Sequence, residues 1–131
     1  MPTPKFLNLA LVLKIHSQQI DKFGGSHGIR DQGLLESALA QPQASFSGEL
    51  LHSTIYEQAA VYLYHLVMNH PFIDGNKRTA FAVMDTFIRF NGYSLILENT
   101  EVYEIVLQVA KSAMGKDALT IKLRENIKPN N

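Results

Sequence analysis

The sequence contains no cysteine, which excludes a disulfide framework and a thiolate zinc site. Neither sign of charge is in excess, because 12 Lys and Arg residues balance 12 Asp and Glu residues. A neutral chain without a basic stripe is not expected to bind nucleic acid directly. No apolar run approaches the roughly 20 residues that span a bilayer, and the first residues lack the basic and apolar regions of a secretory signal. We therefore expect a cytoplasmic protein that does not enter a membrane.

Apolar residues, in contrast, are frequent. Hydrophobic residues make up 46% of the chain and charged residues 18%, a composition typical of a folded globular protein. A length of 131 residues suits one hydrophobic core, so we expect a single domain spanning residues 1–131. Apolar positions recur at a spacing of three to four in several segments, which is typical of amphipathic helices. We predict an all-α fold, a compact helical bundle of about six helices.

Capping residues and helix breakers set the expected limits of these helices. The predicted helices are a first from Asn8 to Phe23, a second from Asp31 to just before Pro42, a third from Thr54 to near Asn69, a fourth from the Gly75–Lys77 segment to Asn91, a fifth from Asn99 or Thr100 to Gly115, and a sixth from Ala118 to Ile127.

Three further segments are not expected to be helical. Residues 43–52 contain Ser and Gly and are predicted to be irregular, with Phe46 pinning this loop to the core. Residues 93–97 are too short for a helix and are predicted to be extended. Residues 128–131 are predicted to form a frayed tail.

One short polar segment, His70–Arg78 (the 70–78 segment), stands between two predicted helices and concentrates chemically active side chains. A histidine titrates near neutral pH and can act as a general base. Asp74 can bind a magnesium ion that bridges phosphates. Lys77 and Arg78 can neutralise phosphate charge, and the N-terminus of the following helix offers unpaired N–H groups to an anion. The segment therefore predicts a phosphate-binding site with a base beside it.

The same segment resembles the signature of the Fic/Doc family, in which HPF is followed by any residue, then Asp or Glu, Gly-Asn, Gly or Lys, and Arg. The Lys form, present here as Lys77, resembles the Doc, or death-on-curing, branch. The resemblance continues outside the signature. Upstream it includes Gly28–Asp31, Gly33–Leu39 and Pro42, and downstream it includes Thr79-Ala80 and the stretch from Phe87 to Tyr93.

The resemblance implies a role for each position of the signature. His70 would deprotonate a hydroxyl group of a target protein, Asp74 would coordinate Mg²⁺, and Phe72 would anchor the loop on the core. The implied phosphate-binding positions are Gly75, which allows close approach of the backbone, Asn76, which would donate hydrogen bonds, and Lys77 and Arg78, which would hold and neutralise the phosphates.

Two departures from the nucleotidyl-transferring members of the family bear on the group that is transferred. Where this chain has Lys77, those enzymes share a Gly, and where it has Phe81, they share a second Arg. Both differences favour the Doc-like reaction, ATP-dependent phosphorylation of a protein Ser or Thr. The resemblance then implies a toxin of a type II toxin–antitoxin system that uses ATP and Mg²⁺. Its expected partners are a cognate antitoxin and a target of the elongation factor Tu class, whose modification would arrest translation.

Two alternatives stay open at this point, a protein nucleotidyl transferase that transfers AMP or UMP and a non-catalytic peptide-binding relative. Ser94, Glu98 and Asn99 also match the short pattern of a Fic inhibitory helix, but the pattern is weak and the Arg that its Glu would engage is replaced by Phe81. Finally, we expect residues 43–51 to form a flap that guides the target or partner.

Overall fold

A computed structural model describes residues 3–130 of the chain, in which six α-helices are joined by short loops and two small antiparallel sheets. No helix among these residues is long and apolar enough to cross a membrane. The all-α bundle of about six helices is confirmed. The helices are α1 (Leu9–Phe23), α2 (Gln32–Ala40), α3 (Ile55–Asn69), α4 (Asn76–Phe90), α5 (Asn99–Ala110) and α6 (Lys116–Asn126).

The predicted N-terminal caps are present in the first three helices. The side chains of Asn8, Asp31 and Thr54 each accept a hydrogen bond from the backbone N–H three residues later, which satisfies donors that a helix leaves unpaired. At the other end of α4, Gly92 takes a φ of 86° and closes the helix as predicted. Local sequence signals therefore set the limits of these helices.

Helices α3 and α4 form the centre of the bundle, and the remaining helices pack around them. Several of the largest side chains of the core come from this pair and are fully buried, including Tyr62, Leu66, Phe87 and Ile88. The two helices are consecutive, so the 70–78 segment lies at the point where the chain passes from one central helix to the other. The assignment of residues 1–131 to a single domain stays a prediction.

The region before α3 differs from the irregular loop predicted for residues 43–52. After a 3₁₀ turn at Gln41–Gln43, strands β1 (Ser45–Phe46) and β2 (Glu49–Leu50) pair antiparallel. Ser47 and Gly48 both have positive φ, 52° and 82°, the conformation that a tight hairpin turn requires. Phe46 is 74% exposed, so the prediction that it pins the loop to the core is wrong. The flap function of residues 43–51 stays a prediction.

The C-terminal region also differs from its prediction. The extended stretch is confirmed as β3 (Tyr93–Leu95), but residues 128–130 are not frayed, since β4 (Ile127–Pro129) pairs with β3. The Asn130 N–H donates to the Gly92 carbonyl at 2.8 Å. Backbone pairing of this kind depends on a partner far away in sequence, which local composition does not reveal. Asn131 lies outside the described residues.

The Ser94–Asn99 pattern does not form an inhibitory helix. Ser94 lies in β3, and its hydroxyl donates to the Asn130 side chain at 2.7 Å. Glu98 immediately precedes α5, where its N–H donates to Glu101. Helix α5 ends at Ala110, before the predicted end at Gly115. The last helix begins at Lys116, two residues before the predicted start, because the extended Gly115 is its N-terminal cap residue.

Candidate active site

Phe72 anchors the loop that joins α3 to α4. Its side chain is 1% exposed, and its ring stacks on the imidazole of His16 in α1, with ring centroids 3.8 Å apart and planes 5° from parallel. Burial of an aromatic ring is among the largest apolar contributions that one side chain makes. The structure therefore places Phe72 in the position expected of a structural anchor.

Asn76, the first residue of α4, binds the same anchor from the other side. Its side-chain oxygen accepts from the Phe72 N–H at 2.8 Å and its amide donates to the Phe72 carbonyl at 2.9 Å. The side chain is buried, so the amide group is used to close the loop. At this position the group facing a bound phosphate would be the backbone N–H of the helix N-terminus.

Residues 28–31, the upstream part of the resemblance, lie directly against the loop. Ile29 and Phe72 form an antiparallel bridge, and the Ile73 N–H donates to the Gly28 carbonyl at 3.1 Å. Gly28 has a φ of 121°, and a Cβ there would stand 2.7 Å from the Ile73 side chain. This position therefore requires glycine. Sequence patterns alone did not indicate that the two segments pair.

His16 is a site residue that sequence reasoning missed. Its Nε2 lies 2.9 Å from the carbonyl oxygen of Asp74, and a carbonyl can only accept, so Nε2 carries the proton and donates. The ring is 4% exposed. A single histidine in the apolar stripe of a helix gives no sequence signal of such a contact. It holds the backbone at the residue predicted to bind metal.

The Asp74 carboxylate is exposed and oriented by two backbone N–H groups, from Ser26 at 3.1 Å and from Gly75 at 2.9 Å. These two hydrogen bonds, in that order, are the main reason that the pKa of Asp74 lies below its ordinary value, and the charges of Arg78 and His16 lower it further. The group is therefore ionised at neutral pH. A Cβ at Gly25 would stand 2.6 Å from Oδ2, so glycine is needed beside the carboxylate.

This carboxylate fits a magnesium ion. Each carboxylate oxygen accepts one N–H and keeps a lone pair that faces outward. Within residues 3–130 no three acidic, His or Cys side chains cluster as a metal cage, and Mg²⁺ is commonly held by one or two carboxylates together with substrate phosphates and water. Asp74 would supply the protein ligand, and the phosphates would complete the shell.

The predicted phosphate-binding residues lie at the N-terminus of α4. Lys77 is exposed in the first turn of this 15-residue helix. Arg78 is half-buried, with Nη2 donating to the Gly24 carbonyl at 2.9 Å and its guanidinium carbon 5.7 Å from the centre of the Phe23 ring. The end of α1 therefore holds the guanidinium in one place, which prepares it to bind an anion without first being ordered. Gly75 precedes the helix with a φ of 74°.

His70 lies on the other side of the loop, exposed at the end of α3, with left-handed backbone angles of φ 49° and ψ 54°. The residues predicted as base, metal ligand and phosphate-binding groups therefore share one loop and the first turn of one helix.

Within residues 3–130, two cavities lie away from this segment. One is a small apolar cavity beside Phe81, and the other is a cleft of about 410 Å³ near His52 and Arg124.

The described residues thus form a helical protein in which an ionised carboxylate, two cations, a helix N-terminus and an exposed imidazole lie on one short segment. The Fic/DOC family matches residues 6–88. The chain belongs to this family, and its relatives place it in the Doc branch.

Two relatives carry the name Doc. Toxin Doc of Mycolicibacterium smegmatis is 45% identical over 73 residues, which are 56% of each chain. Protein kinase doc of Escherichia phage P1 is 27% identical over 113 residues, which are 86% of this chain and 88% of the phage protein. The chain thus spans little more than half the length of the mycobacterial relative and most of the phage one.

Proposed function

We propose that this protein is the toxin of a type II toxin–antitoxin system and acts as an ATP-dependent protein Ser/Thr phosphotransferase. The observation that carries the proposal is the arrangement of the 70–78 segment, in which His70 ends α3, Asp74 lies in the loop that follows, and Lys77 lies in the first turn of α4. The names of the two relatives, a toxin and a protein kinase, support the same conclusion.

In the proposed reaction His70 removes the proton from a target Ser or Thr hydroxyl, and the resulting oxygen attacks the γ-phosphorus of ATP. The bond between that phosphorus and the bridging oxygen breaks, and ADP leaves with the electron pair. Lys77, Arg78 and the N–H groups of α4 orient the phosphates and offset their charge. A magnesium ion held by Asp74 would add a second source of positive charge at the phosphates.

Lys77 and Phe81 favour phosphate transfer over nucleotidyl transfer. Lys77 places a cation at the position where the nucleotidyl-transferring relatives share a Gly. Phe81 packs against the hydrophobic core and lines the same small apolar cavity as Leu63 and Met84. It supplies no positive charge that could hold a terminal phosphate. The orientation of the nucleotide that these two residues support brings the γ-phosphate toward the nucleophile.

The proposed partners follow from the same family relationship. A cognate antitoxin would hold the toxin silent, and the target would be a translation factor of the elongation factor Tu class. Modification of such a factor would arrest translation. We propose that the protein acts in the cytoplasm, where this target works.

The test is the intact mass of purified elongation factor Tu after incubation with the protein, ATP and Mg²⁺. A gain of about 80 Da is expected for one phosphate. A much heavier adduct would indicate nucleotidyl transfer, and an unchanged mass would favour a binding protein for this target. His70→Ala should lose the gain, because losing a positioned base costs about 10²–10⁴ in rate.

His52→Ala is the matched control. His52 is also partly exposed, but it precedes α3, whereas His70 follows it, and the helix between them is about 22 Å long. Activity of this variant should equal that of the parent. If His70→Ala kept near-parent activity with an unchanged helical signal, the proposed base would be wrong.

A further inference from the structure

The backbone of His70 adopts a conformation that its sequence does not favour. Its φ of 49° and ψ of 54° are left-handed, a region that residues with a Cβ rarely occupy. Pro71 follows, and a residue before proline is biased toward extended angles. Such a conformation persists only where the surrounding structure holds it.

Arg30 supplies the contacts that hold it. Its Nε donates to the His70 carbonyl at 2.6 Å, and its Nη2 donates to the Asn69 carbonyl at 2.9 Å. The backbone N–H groups of Arg30 and Asp31 both donate to the next carbonyl, that of Pro71, at 2.7 and 3.0 Å. Three successive carbonyls at the end of α3 are thus bound by one short segment.

The chemistry of these contacts suits arginine in particular. The carbonyls at a helix C-terminus carry partial negative charge, and hydrogen bonds from a charged donor are the stronger kind. The planar guanidinium can reach two carbonyls at once in a fixed geometry, whereas a lysine ammonium acts as a flexible point charge. The pair of bonds fixes both the position and the twist of the chain at His70.

We propose that Arg30 is a positioning residue for His70. It locks the left-handed turn at His70, the residue that ends α3 before the loop leading to α4, without itself touching the substrate. The inference rests on the proposed function, in which His70 is the general base. The Gly28–Asp31 segment, to which the family resemblance gives no role, thereby supports the active site without being part of it.

If Arg30 only capped the end of α3, its replacement would have a different effect on the kinetics. Removal of such a cap would lower stability but leave the kcat of folded molecules unchanged. A positioning role lowers kcat and leaves the KM for ATP nearly unchanged, because the phosphate-binding groups lie on α4. A misplacement of about 1 Å can cost 10²-fold in rate.

The first experiment measures kcat and KM of Arg30→Ala and Arg30→Lys with elongation factor Tu as phosphate acceptor. We expect kcat to fall about 10- to 100-fold in Arg30→Ala, with a smaller loss in Arg30→Lys and a KM for ATP within about twofold of the parent. Arg89→Ala is the control, since Arg89 is an exposed helical arginine that pairs with Asp85 on the same helix. An unchanged kcat in Arg30→Ala would overturn the proposal.

The double variant Arg30→Ala, His70→Ala provides a second readout. If Arg30 acts through His70, adding Arg30→Ala to His70→Ala should cause no further loss of the residual transfer rate. Multiplication of the two losses would show that Arg30 acts independently of His70 and would overturn the proposal.

A measurement that needs no catalysis separates this inference from the proposed function. The ¹⁵N order parameter of the His70 amide should be near 0.85 in the parent, as in rigid backbone, and fall toward 0.6 in Arg30→Ala. If Arg30→Ala does not fold, the order parameter of the His70 amide is measured in Arg30→Lys and should also lie below that of the parent. A rigid His70 in both variants would refute the positioning role, even if the parent protein transferred no phosphate.

Discussion

Replacement of His16 by Phe isolates one hydrogen bond that supports the active site. The variant keeps an aromatic ring that can stack on Phe72, whose ring centroid lies 3.8 Å from that of His16 in the parent. It loses the Nε2–H that donates to the Asp74 carbonyl at 2.9 Å. A hydrogen bond of this type contributes about 0.5–1.5 kcal/mol net. For a chain of this size, a loss of about 1 kcal/mol lowers Tm by about 3–5 °C.

His16→Ala removes the stacking contact as well and leaves a cavity at a site only 4% exposed. The aromatic pair adds about 0.5–1.5 kcal/mol, and the truncation of a buried ring brings the total to about 3 kcal/mol or more. The two variants should therefore differ from each other more than His16→Phe differs from the parent. Urea unfolding followed by circular dichroism measures both losses.

The same hydrogen bond holds the backbone of Asp74, so His16→Phe should also weaken the binding of Mg²⁺ with ATP. Isothermal titration calorimetry of ATP in the presence and absence of Mg²⁺ measures this effect, with His27→Phe as the control, because His27 is exposed and pairs with Asp21. Parent-like stability and parent-like binding in His16→Phe would refute the role given to this histidine.

Other consequences of the structure can be tested directly. Asp74→Asn should abolish the effect of Mg²⁺ on ATP binding measured by calorimetry, and equal titrations with and without metal in the parent would contradict this. Lys77→Gly should lower the rate of phosphate transfer. If the variant instead transferred phosphate like the parent and lost only up to about 1 kcal/mol of helix stability, the main support for a kinase would be removed. Burial, then the charges of Lys116 and His52, lowers the pKa of His65 to about 4. In the unfolded chain, His65 binds a proton below its ordinary pKa of 6.5, whereas in the folded protein it stays neutral down to about pH 4. The free energy of unfolding should therefore decrease as the pH falls from about 6.5 to about 4. This loss should be about 1 kcal/mol after allowance for solvent screening of a half-buried group, and His65→Gln should flatten the dependence in urea titrations across that range.

Most of the helices could be predicted from the sequence, because their signals are local. Caps such as Asn8, Asp31 and Thr54 bind N–H groups only three residues away, and the apolar spacing within each helix marks its buried face. The 70–78 segment could also be recognised as a candidate site, since its reactive side chains are nearly consecutive and follow one helix directly into the next.

The contacts that support that segment could not be predicted from the sequence, because they join residues far apart in the chain. His16 meets the Asp74 carbonyl across 58 positions, and Arg30 meets that of His70 across 40. The pairing of β3 with β4 and the exposure of Phe46 likewise depend on where other elements lie. Local sequence specifies which groups the active site contains, whereas the packing of α1 and of residues 28–31 against the loop specifies how those groups are held.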